Sequence, residues 1–282
     1  MTATQHETPA HTGEVDVPWN LVVPEADIYL VGYGMRLPND LTLEALAVLK
    51  RCTRVFGIPP IHAPDFGIPA MDNLFLRYGA DKSRHQTYQE WLDIVLDAAA
   101  EQAPVALATY GSPMVGALVN HRILAEAPSR GLTTHVTNAA SSLEGIWADL
   151  NIEPFYGVEI WEATVLVNQK IEPNTKANLM LPQAPVFGIQ HGPDLATGLP
   201  MKTSSTITAL RDHLLRFYPT DHPVRYIETG SGTRATTPHI ETLPLTELDH
   251  PGDHTMSTLL VPRLTPHHQL DFPRPSQPTR PR

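Results

Sequence analysis

The sequence predicts an α/β fold of two domains, the first with a mainly parallel sheet and the second an α+β domain with a mixed sheet. Between residues 27 and 155, short apolar runs alternate with stretches of helical periodicity, and this alternation is typical of βαβ units. After Pro154 the apolar runs stand among prolines and no longer alternate regularly with helices. A length of 282 residues agrees with one to two domains.

The N-terminal domain is predicted over residues 27–155, after a flexible polar arm over residues 1–26. Its first strand is the buried run Ile28–Val31, and the following helix has Thr42 as its predicted N-cap. Each predicted helix has apolar residues at helical spacing. In chain order the elements are strand 28–31, helix 42–50, strand 54–56, helix 87–101, strand 105–108, helix 114–125, strand 133–136 and helix 141–150, the last capped by Ser141 or Ser142.

The C-terminal domain is predicted over residues 156–264 and contains one strong helix among short strands. The predicted elements are strands 164–167 and 177–181, helix 206–217, and strands 224–227, 238–242 and 257–261. Residues 265–282 carry five prolines and three arginines but almost no apolar side chains, which predicts a disordered tail.

Composition excludes several classes of function. The 30 acidic and 20 basic residues give a formal charge of −10, which disfavours nucleic acid as a partner. The single cysteine, Cys52, excludes internal disulfides and CxxC metal sites, and the scattered histidines form no HExxH motif, so no metal is expected. No apolar run approaches the roughly 20 residues of a membrane span. Because Met1–Asp16 lacks the features of a secretory signal, we expect a cytoplasmic protein without membrane contact.

Three loops of small residues follow predicted strands: Gly32-Tyr33-Gly34, Thr109–Pro113 and Asn138–Ser142. Ligands of parallel sheets bind outside the carboxyl ends of the strands. Each loop alone is also explained as a tight turn with an N-cap, and none matches GxGxxG or the P-loop. Three such loops in one sheet favour a shared ligand site.

A tyrosine and arginine constellation precedes and opens the helix at 87–101. If the helix begins by Ser83, Arg84 and Tyr88 share one face, and Tyr78 lies on the loop before it. The residues alone leave two interpretations. Either Arg84 is a solvated cation and Tyr88 a packing residue, or the three side chains converge on a polar group of a substrate.

The stretch Ile28–Val261 resembles the class III, tetrapyrrole-methylase-like methyltransferases, which use S-adenosylmethionine. The segment YLVGYGMRLPNDLTLEALAVLKRCTRVFG is similar to that family's first strand, glycine loop and helix. The segments YGSP and NAASSLEGIWADL are similar to two of its later loops. The resemblance implies two α/β domains of the tetrapyrrole methylase type and S-adenosyl-L-methionine as methyl donor, with S-adenosyl-L-homocysteine as product.

Within this superfamily the chain most resembles the borosin peptide-backbone α-N-methyltransferases, through YGADKSRHQTYQEW, TYGSPMV and WADLNIEP. The match implies that Arg84 and Tyr88 are catalytic and that Tyr78 and Tyr110 complete the substrate site. It also implies a homodimer and a precursor peptide as partner. The implied cofactor contacts are Gly32, Gly34, Tyr110, Gly111, Pro113, Val115, Ser141, Ser142, Gln183 and Thr229.

Some residues depart from the family pattern: Ala139 and Ala140 replace the usual Gly and Val, and Ser112 replaces an Asp of general tetrapyrrole methylases. Residues 265–282 do not resemble the Val-, Ile- and Gly-rich core peptide of fused fungal members. We therefore expect a split arrangement with the peptide on a separate chain. The alternatives are a small-molecule methyltransferase of the superfamily and a non-catalytic relative that binds the donor.

The resemblance leads to a mechanistic hypothesis. An amide nitrogen is a poor nucleophile because its lone pair is delocalised into the carbonyl group, so its proton must leave as the methyl group arrives. In this hypothesis Tyr88 accepts the proton and Arg84 stabilises the developing negative charge on the carbonyl oxygen.

Overall fold

A computed structural model describes residues 21–79, 81–193, 207–230, 237–249 and 256–264. The chain divides into two compact units. The first contains the described residues up to Gly145 together with residues 190–193 and Gly230, and the second contains the other described residues. The predicted tail and most of the predicted arm lie outside the described residues.

The first unit is built on a parallel sheet. Its strands are β1 (Ile28–Gly32), β2 (Arg54–Ile58), β3 (Asp72–Asn73), β4 (Val105–Thr109) and β5 (Thr134–Val136). They lie in the order β3-β2-β4-β1-β5, and every pairing is parallel. β1 is buried along its whole length because its alternate residues enter two different apolar clusters, Ile28 with Leu30 in one and Tyr29 with Val31 in the other.

The helices of this part of the chain are α1 (Leu43–Arg51), α2 (Arg84–Glu101), α3 (Leu118–Glu126) and α4 (Ser142–Leu150). Side chains cap the starts of α1 and α2, whereas α3 has no side-chain cap. Thr42 Oγ1 accepts a hydrogen bond from Ala45 N–H at 3.1 Å, as its predicted role as N-cap requires. α2 starts three residues earlier than predicted, because Ser83 and Gln86 form a capping box. α3 starts at Leu118 instead of residue 114, since Gly116 has a φ of +68°, outside the helical region.

The second unit has a mixed sheet. Its strands are β6 (Val158–Ile160), β7 (Asn178–Leu181), β8 (Pro223–Glu228), β9 (His239–Pro244) and β10 (Thr258–Val261), in the order β6-β7-β10-β8-β9. β6 pairs with β7 in parallel, and the other pairings are antiparallel. Helices α5 (Ala163–Asn168) and α6 (Thr208–Leu214) share a buried core with these strands, in which Leu166 and Leu210 pack near Leu179 and Leu259.

One predicted element of the second unit is wrong. Residues 164–167 were expected as a strand because of their β-branched run, but they lie in helix α5. Glu162 determines the outcome: its carboxylate accepts the N–H of Val165 at 2.8 Å and so caps the helix. Strand β6, just before this helix, was not predicted.

The predicted fold class, a mainly parallel sheet followed by a mixed α+β sheet, is confirmed. Because β1 lies between β4 and β5, the loops after these three strands leave the sheet side by side. This arrangement brings together the three loops of small residues. Among the described residues, no helix is both long and apolar enough to cross a membrane.

Candidate functional site

The loops after β1, β4 and β5 are joined by hydrogen bonds. Gly34 N–H donates to the carbonyl oxygen of Gly111 at 3.3 Å, and Gly111 N–H donates to that of Gly34 at 2.8 Å. Gly32 N–H donates to Thr137 Oγ1 at 3.3 Å, which links the third loop to the first. We call this set the glycine loop cluster. It consists of residues 32–35, 110–115 and 137–141.

Gly32 allows the closest approach within the glycine loop cluster. A Cβ atom at this position would lie 2.5 Å from both Ala139 Cβ and the oxygen of Gly111, and 2.6 Å from Pro113 Cδ. Real Cβ atoms essentially never come within 3.0 Å of such neighbours. The glycine at position 32 therefore leaves room for the methyl group of Ala139, one of the departures from the family pattern.

Asn120, at the start of α3, forms a hydrogen bond with the loop after β4. It is fully buried, and its Nδ2 donates to the carbonyl oxygen of Pro113 at 2.7 Å. Within the described part of the chain, Asn120 Oδ1 and the hydroxyl of buried Thr109 have no hydrogen-bond partner. Buried polar atoms are rarely left without a hydrogen-bond partner, so a bound water, an ion or a functional role has to account for these two.

Ser141 has a structural role at the start of α4. Its N–H and hydroxyl both donate to the carboxylate of Glu144, the former at 2.8 Å, and its Oγ accepts the N–H of Leu143. Ser141 is buried, Ser142 is half-buried and Val115 is exposed. Ser141 is therefore the residue that caps α4, and its predicted role as a cofactor contact stays a prediction.

Gln183 and Thr229 belong to the second unit. Gln183 adopts a left-handed backbone with a φ of +55°. The hydroxyl of Thr229 is buried and donates to Asp149 Oδ2 at 2.6 Å. Their predicted roles as cofactor contacts stay predictions.

A second group of side chains lies around the first turn of α2. Arg84 is the first residue of the helix, and Tyr88 follows one turn later. The backbone at Arg84 is held from two sides, since Ser83 N–H donates to Gln86 Oε1 at 2.7 Å and Arg84 N–H donates to the carbonyl oxygen of Gln190 at 2.8 Å. Arg84 and Tyr88 therefore occupy one face of the helix, as the sequence predicted.

Tyr78 completes this group by contact with Tyr88. Its hydroxyl donates to the hydroxyl oxygen of Tyr88 at 3.4 Å. The ring of Tyr78 makes edge-on contacts with Trp91 and Phe75, with centroids 5.0 and 5.1 Å away. The Trp91 indole N–H donates to the carbonyl oxygen of Leu74 at 2.7 Å, so the aromatic residues that hold Tyr78 are themselves fixed.

The electrostatics of Tyr78 bring four predicted residues together. Burial raises the pKa of Tyr78 far above its usual range, and the proximity and hydrogen bond of Tyr88 act in the same direction. The charge of Arg84 opposes this rise in pKa, and Tyr110 adds to it. Tyr78 therefore keeps its proton and acts as a donor. We call Tyr78, Arg84, Tyr88 and Tyr110 the tyrosine–arginine cluster.

Tyr110 belongs to both the tyrosine–arginine cluster and the glycine loop cluster. It follows β4 directly and is 40% exposed. Burial, and then the proximity of Tyr110, raise the pKa of Tyr33 above its usual range, so Tyr110 lies near Tyr33 as well as Tyr78. The Tyr33 hydroxyl donates to the carbonyl oxygen of Pro59 at 2.9 Å.

Three residues of the site were not predicted from the sequence: Tyr33, Asn120 and Gly192. Tyr33 stands inside the first glycine loop, where only the glycines were considered. Asn120 is a polar residue on an apolar helix face, a pattern that could have drawn attention to it. Gly192 lies against the ring of Tyr78, which is more than 100 residues away in sequence, and no local pattern reveals such a contact.

The chain matches the family described as Tetrapyrrole (Corrin/Porphyrin) Methylases over residues 27–249. The chain belongs to this family of methyltransferases. The match covers the glycine loop cluster and the tyrosine–arginine cluster, and it confirms the resemblance inferred from the loop motifs. Within the described residues, no group of three or more His, Cys, Asp or Glu side chains could hold a metal ion.

Relatives of the chain include proteins named both as methyltransferases and as precursors of cyclic peptides. A methyltransferase/cyclic peptide dendrothelin A precursor of Dendrothele bispora is 27% identical over 202 residues, which cover 70% of this chain and 47% of that protein. A methyltransferase/type I borosin cyclic peptide precursor of Serendipita vermifera subsp. bescii is 26% identical over 246 residues, which cover 83% and 58%. The chain spans about half the length of these curated relatives.

Solved structures share the fold. The uroporphyrin-III-C-methyltransferase of Thermus thermophilus has a TM-score of 0.54 and 17% identity, over 84% of this chain and 91% of that chain. The methyltransferase CobJ has a TM-score of 0.55 and 13% identity, over 84% and 94%.

Proposed function

We propose that the protein is an S-adenosylmethionine-dependent α-N-methyltransferase that acts on backbone amides of a precursor peptide supplied by a separate chain. The observation that carries this proposal is the grouping of Arg84, Tyr88 and Tyr110 around Tyr78. The relatives named as precursors of cyclic peptides support a peptide substrate. By the same resemblance we propose that the enzyme works as a homodimer.

The glycine loop cluster would hold the methyl donor. Its loops follow the carboxyl ends of three neighbouring parallel strands, which is where parallel sheets bind ligands, and its exposed residues include Tyr110, Val115 and Asn138. The bound donor supplies a methyl group on a sulfonium sulfur, so the S–CH3 bond breaks as the N–CH3 bond forms and a neutral thioether leaves. Tyr110 would orient the donor and the peptide relative to each other.

The tyrosine–arginine cluster would supply the proton acceptor. Tyr88 would take up the proton of the substrate N–H at its hydroxyl oxygen, while a proton passes from that hydroxyl to solvent. The hydroxyl of Tyr78 donates to the Tyr88 oxygen at 3.4 Å and so orients it. Arg84 lies one turn before Tyr88 on the same helix.

Arg84 has a separate task in this mechanism. As the N–H proton leaves, negative charge develops on the carbonyl oxygen of the same amide, and a preorganised guanidinium stabilises such an oxyanion. Two backbone contacts fix the start of the helix that carries Arg84. The side chain therefore starts from a defined position.

Mass spectrometry tests the proposal. The purified chain is incubated with S-adenosylmethionine and with peptides encoded beside its gene, and products are fragmented to locate each added methyl group. We expect methyl groups on backbone nitrogens of the separate peptide. Methylation within residues 265–282 would show that the substrate is in cis, and methylation of a tetrapyrrole but of no peptide would favour the small-molecule alternative. Donor binding without transfer to any substrate would indicate a non-catalytic relative.

A further inference from the structure

Residues 190–193 pack against the tyrosine–arginine cluster. Besides the hydrogen bond from Arg84 N–H to Gln190, His191 forms an antiparallel bridge with Ser83, the N-cap of α2. Pro193 is buried. Gln190 and His191 thus lie along the start of the helix that carries Arg84 and Tyr88, and Gly192 follows directly.

Gly192 sits directly on the ring of Tyr78. A Cβ atom at position 192 would overlap Cδ1 of that ring and would lie 2.5 Å from its Cε1 and 2.7 Å from its Cγ. Trp91 and Phe75 make edge-on contacts with the same ring. Tyr78 therefore cannot yield to a larger residue at position 192 without a shift of the whole aromatic group.

We propose that Gly192 is a positioning residue for methyl transfer: its lack of a side chain lets residues 190–193 press on Tyr78 and hold the Tyr78 hydroxyl on Tyr88. This inference rests on the proposed function, in which the Tyr78 hydroxyl orients the hydroxyl oxygen of Tyr88 that accepts the substrate proton. The contact between the two hydroxyl groups is already long, at 3.4 Å. A small displacement of the ring would break it, because hydrogen bonds beyond about 3.5 Å are no longer effective.

The test compares Gly192→Ala with Gly188→Ala, a control on the same loop whose added Cβ would have no atom within 4 Å. We expect Gly192→Ala to lower kcat by about 10- to 100-fold, as misplacement of about 1 Å does in other enzymes. Donor affinity should stay within a few-fold, since the glycine loop cluster is untouched. Gly188 has a φ of +71°, at which alanine is strained, so Gly188→Ala is expected to lower the stability of the protein but to keep the parental kcat. A kcat for Gly192→Ala within two-fold of the parent would overturn the proposal.

A double-mutant cycle with Tyr78→Ala tests the contact independently of activity. Removal of the ring opens the space that the new Cβ needs, so the fall in Tm caused by Gly192→Ala should largely disappear in the Tyr78→Ala background. Additive losses of Tm would overturn the proposal, and so would a Gly192→Ala single variant as stable as the parent. Should Gly192→Ala alone fail to fold, folding of the double variant would still support the contact. Should the parent methylate no peptide, the proposed function fails, and the Tm cycle still decides whether Gly192 holds Tyr78.

Discussion

The glycine loop cluster and the tyrosine–arginine cluster lie in the same unit but are held together in different ways. In the glycine loop cluster, hydrogen bonds of the backbone and a close approach at Gly32 fix the loops, and a side chain at position 32 would clash with Ala139, Gly111 and Pro113. In the tyrosine–arginine cluster, side chains fix one another through ring contacts and one hydroxyl pair. Only Tyr110 belongs to both.

Because the two clusters are held differently, substitutions in them are expected to affect different properties of the enzyme. Changes in the glycine loop cluster should alter folding and donor affinity, because they move backbone that would touch the donor. Changes in the tyrosine–arginine cluster should alter the chemical step, because they remove a proton acceptor or a charge and leave the loops in place. Four predictions test this division, from the largest expected effect to the smallest.

Substitutions of Arg84 and Tyr88 should produce the largest loss of activity. Tyr88→Phe removes the proton acceptor and keeps the ring that packs on Trp91, so methyl transfer should fall by about 10²–10⁴-fold with little change in Tm. Arg84→Ala should lose at least as much through the missing oxyanion partner. Single-turnover methylation and calorimetric titration of the donor provide the measurements, with donor affinity expected within a few-fold of the parent.

The control for Arg84→Ala is Arg77→Ala, an exposed cation on the preceding segment, which should keep the parental rate. Arg84→Lys keeps the charge but not the planar fork, so partial activity is expected. Parental rates in both Arg84→Ala and Tyr88→Phe would mean that the cluster is structural, and the division between the two clusters would collapse.

Gly32→Ala tests the glycine loop cluster from within. The new methyl group would meet Ala139, Gly111 and Pro113, and overpacking of this kind costs about 1–3 kcal/mol in stability. We expect donor affinity to fall together with Tm. Gly131→Ala is the control, because it adds strain at a φ of +73° but no overlap. If Gly32→Ala lowered kcat at saturating donor and left donor affinity intact, the glycine loop cluster would act on the chemical step, contrary to the difference expected between the two clusters.

Asn120→Leu should have a smaller effect in the same direction. The substitution removes the hydrogen bond to Pro113, worth about 1 kcal/mol, but it also removes the buried Oδ1 that has no partner in the described residues, which offsets part of the loss. The second loop should then loosen and donor affinity should fall several-fold. Stability and donor titration are the measurements, and unchanged donor affinity would mean that Asn120 supports the fold alone.

The sequence predicted the parts of the site that local patterns encode. Thr42 and the run Ile28–Val31 were recognised because a cap and a buried strand are properties of a few neighbouring residues. The start of α2 was missed by three residues, although the spacing of Ser83 and Gln86 is that of a capping box. A β-branched run at 164–167 was taken for a strand because β-propensity depends on context, and the cap at Glu162 outweighed it.

The contacts that join distant segments could not be predicted in this way. Gly192 meets Tyr78 because of the path of the chain between them, and a single sequence does not encode that path in any local pattern. Tyr110 was assigned to the site by resemblance to the borosin family, and its position between Tyr33 and Tyr78 follows from the order of the strands. The resemblance to the family thus identified residues of the site, and the fold explains why those residues lie close together.

Tyr218→Phe should have the smallest effect and, unlike Tyr88→Phe, should leave methyl transfer unchanged. Tyr218 lies in the second unit, is buried, and its hydroxyl has no hydrogen-bond partner among the described residues. Removal of an unsatisfied buried hydroxyl is expected to change stability by about 0 to +1 kcal/mol, with methyl transfer unchanged. The change from Tyr to Phe is thus expected to lower activity at Tyr88, the proposed proton acceptor, but not at Tyr218.

The pH dependence of stability gives Tyr218→Phe a second measurement. Burial, together with the charge of Glu159, raises the pKa of Tyr218 to about 12, above the usual value of about 10 for an unfolded chain. A group whose pKa is raised by folding contributes stability that is fully present below pH 10 and is lost as the pH rises toward 12. Tyr218→Phe should therefore show a shallower loss of stability than the parent between about pH 10 and 12, measured by urea unfolding across that range. An equally steep loss would mean that the titration of Tyr218 does not cause it, and a destabilisation of more than about 1 kcal/mol at pH 8 would mean that the hydroxyl makes a stabilising hydrogen bond.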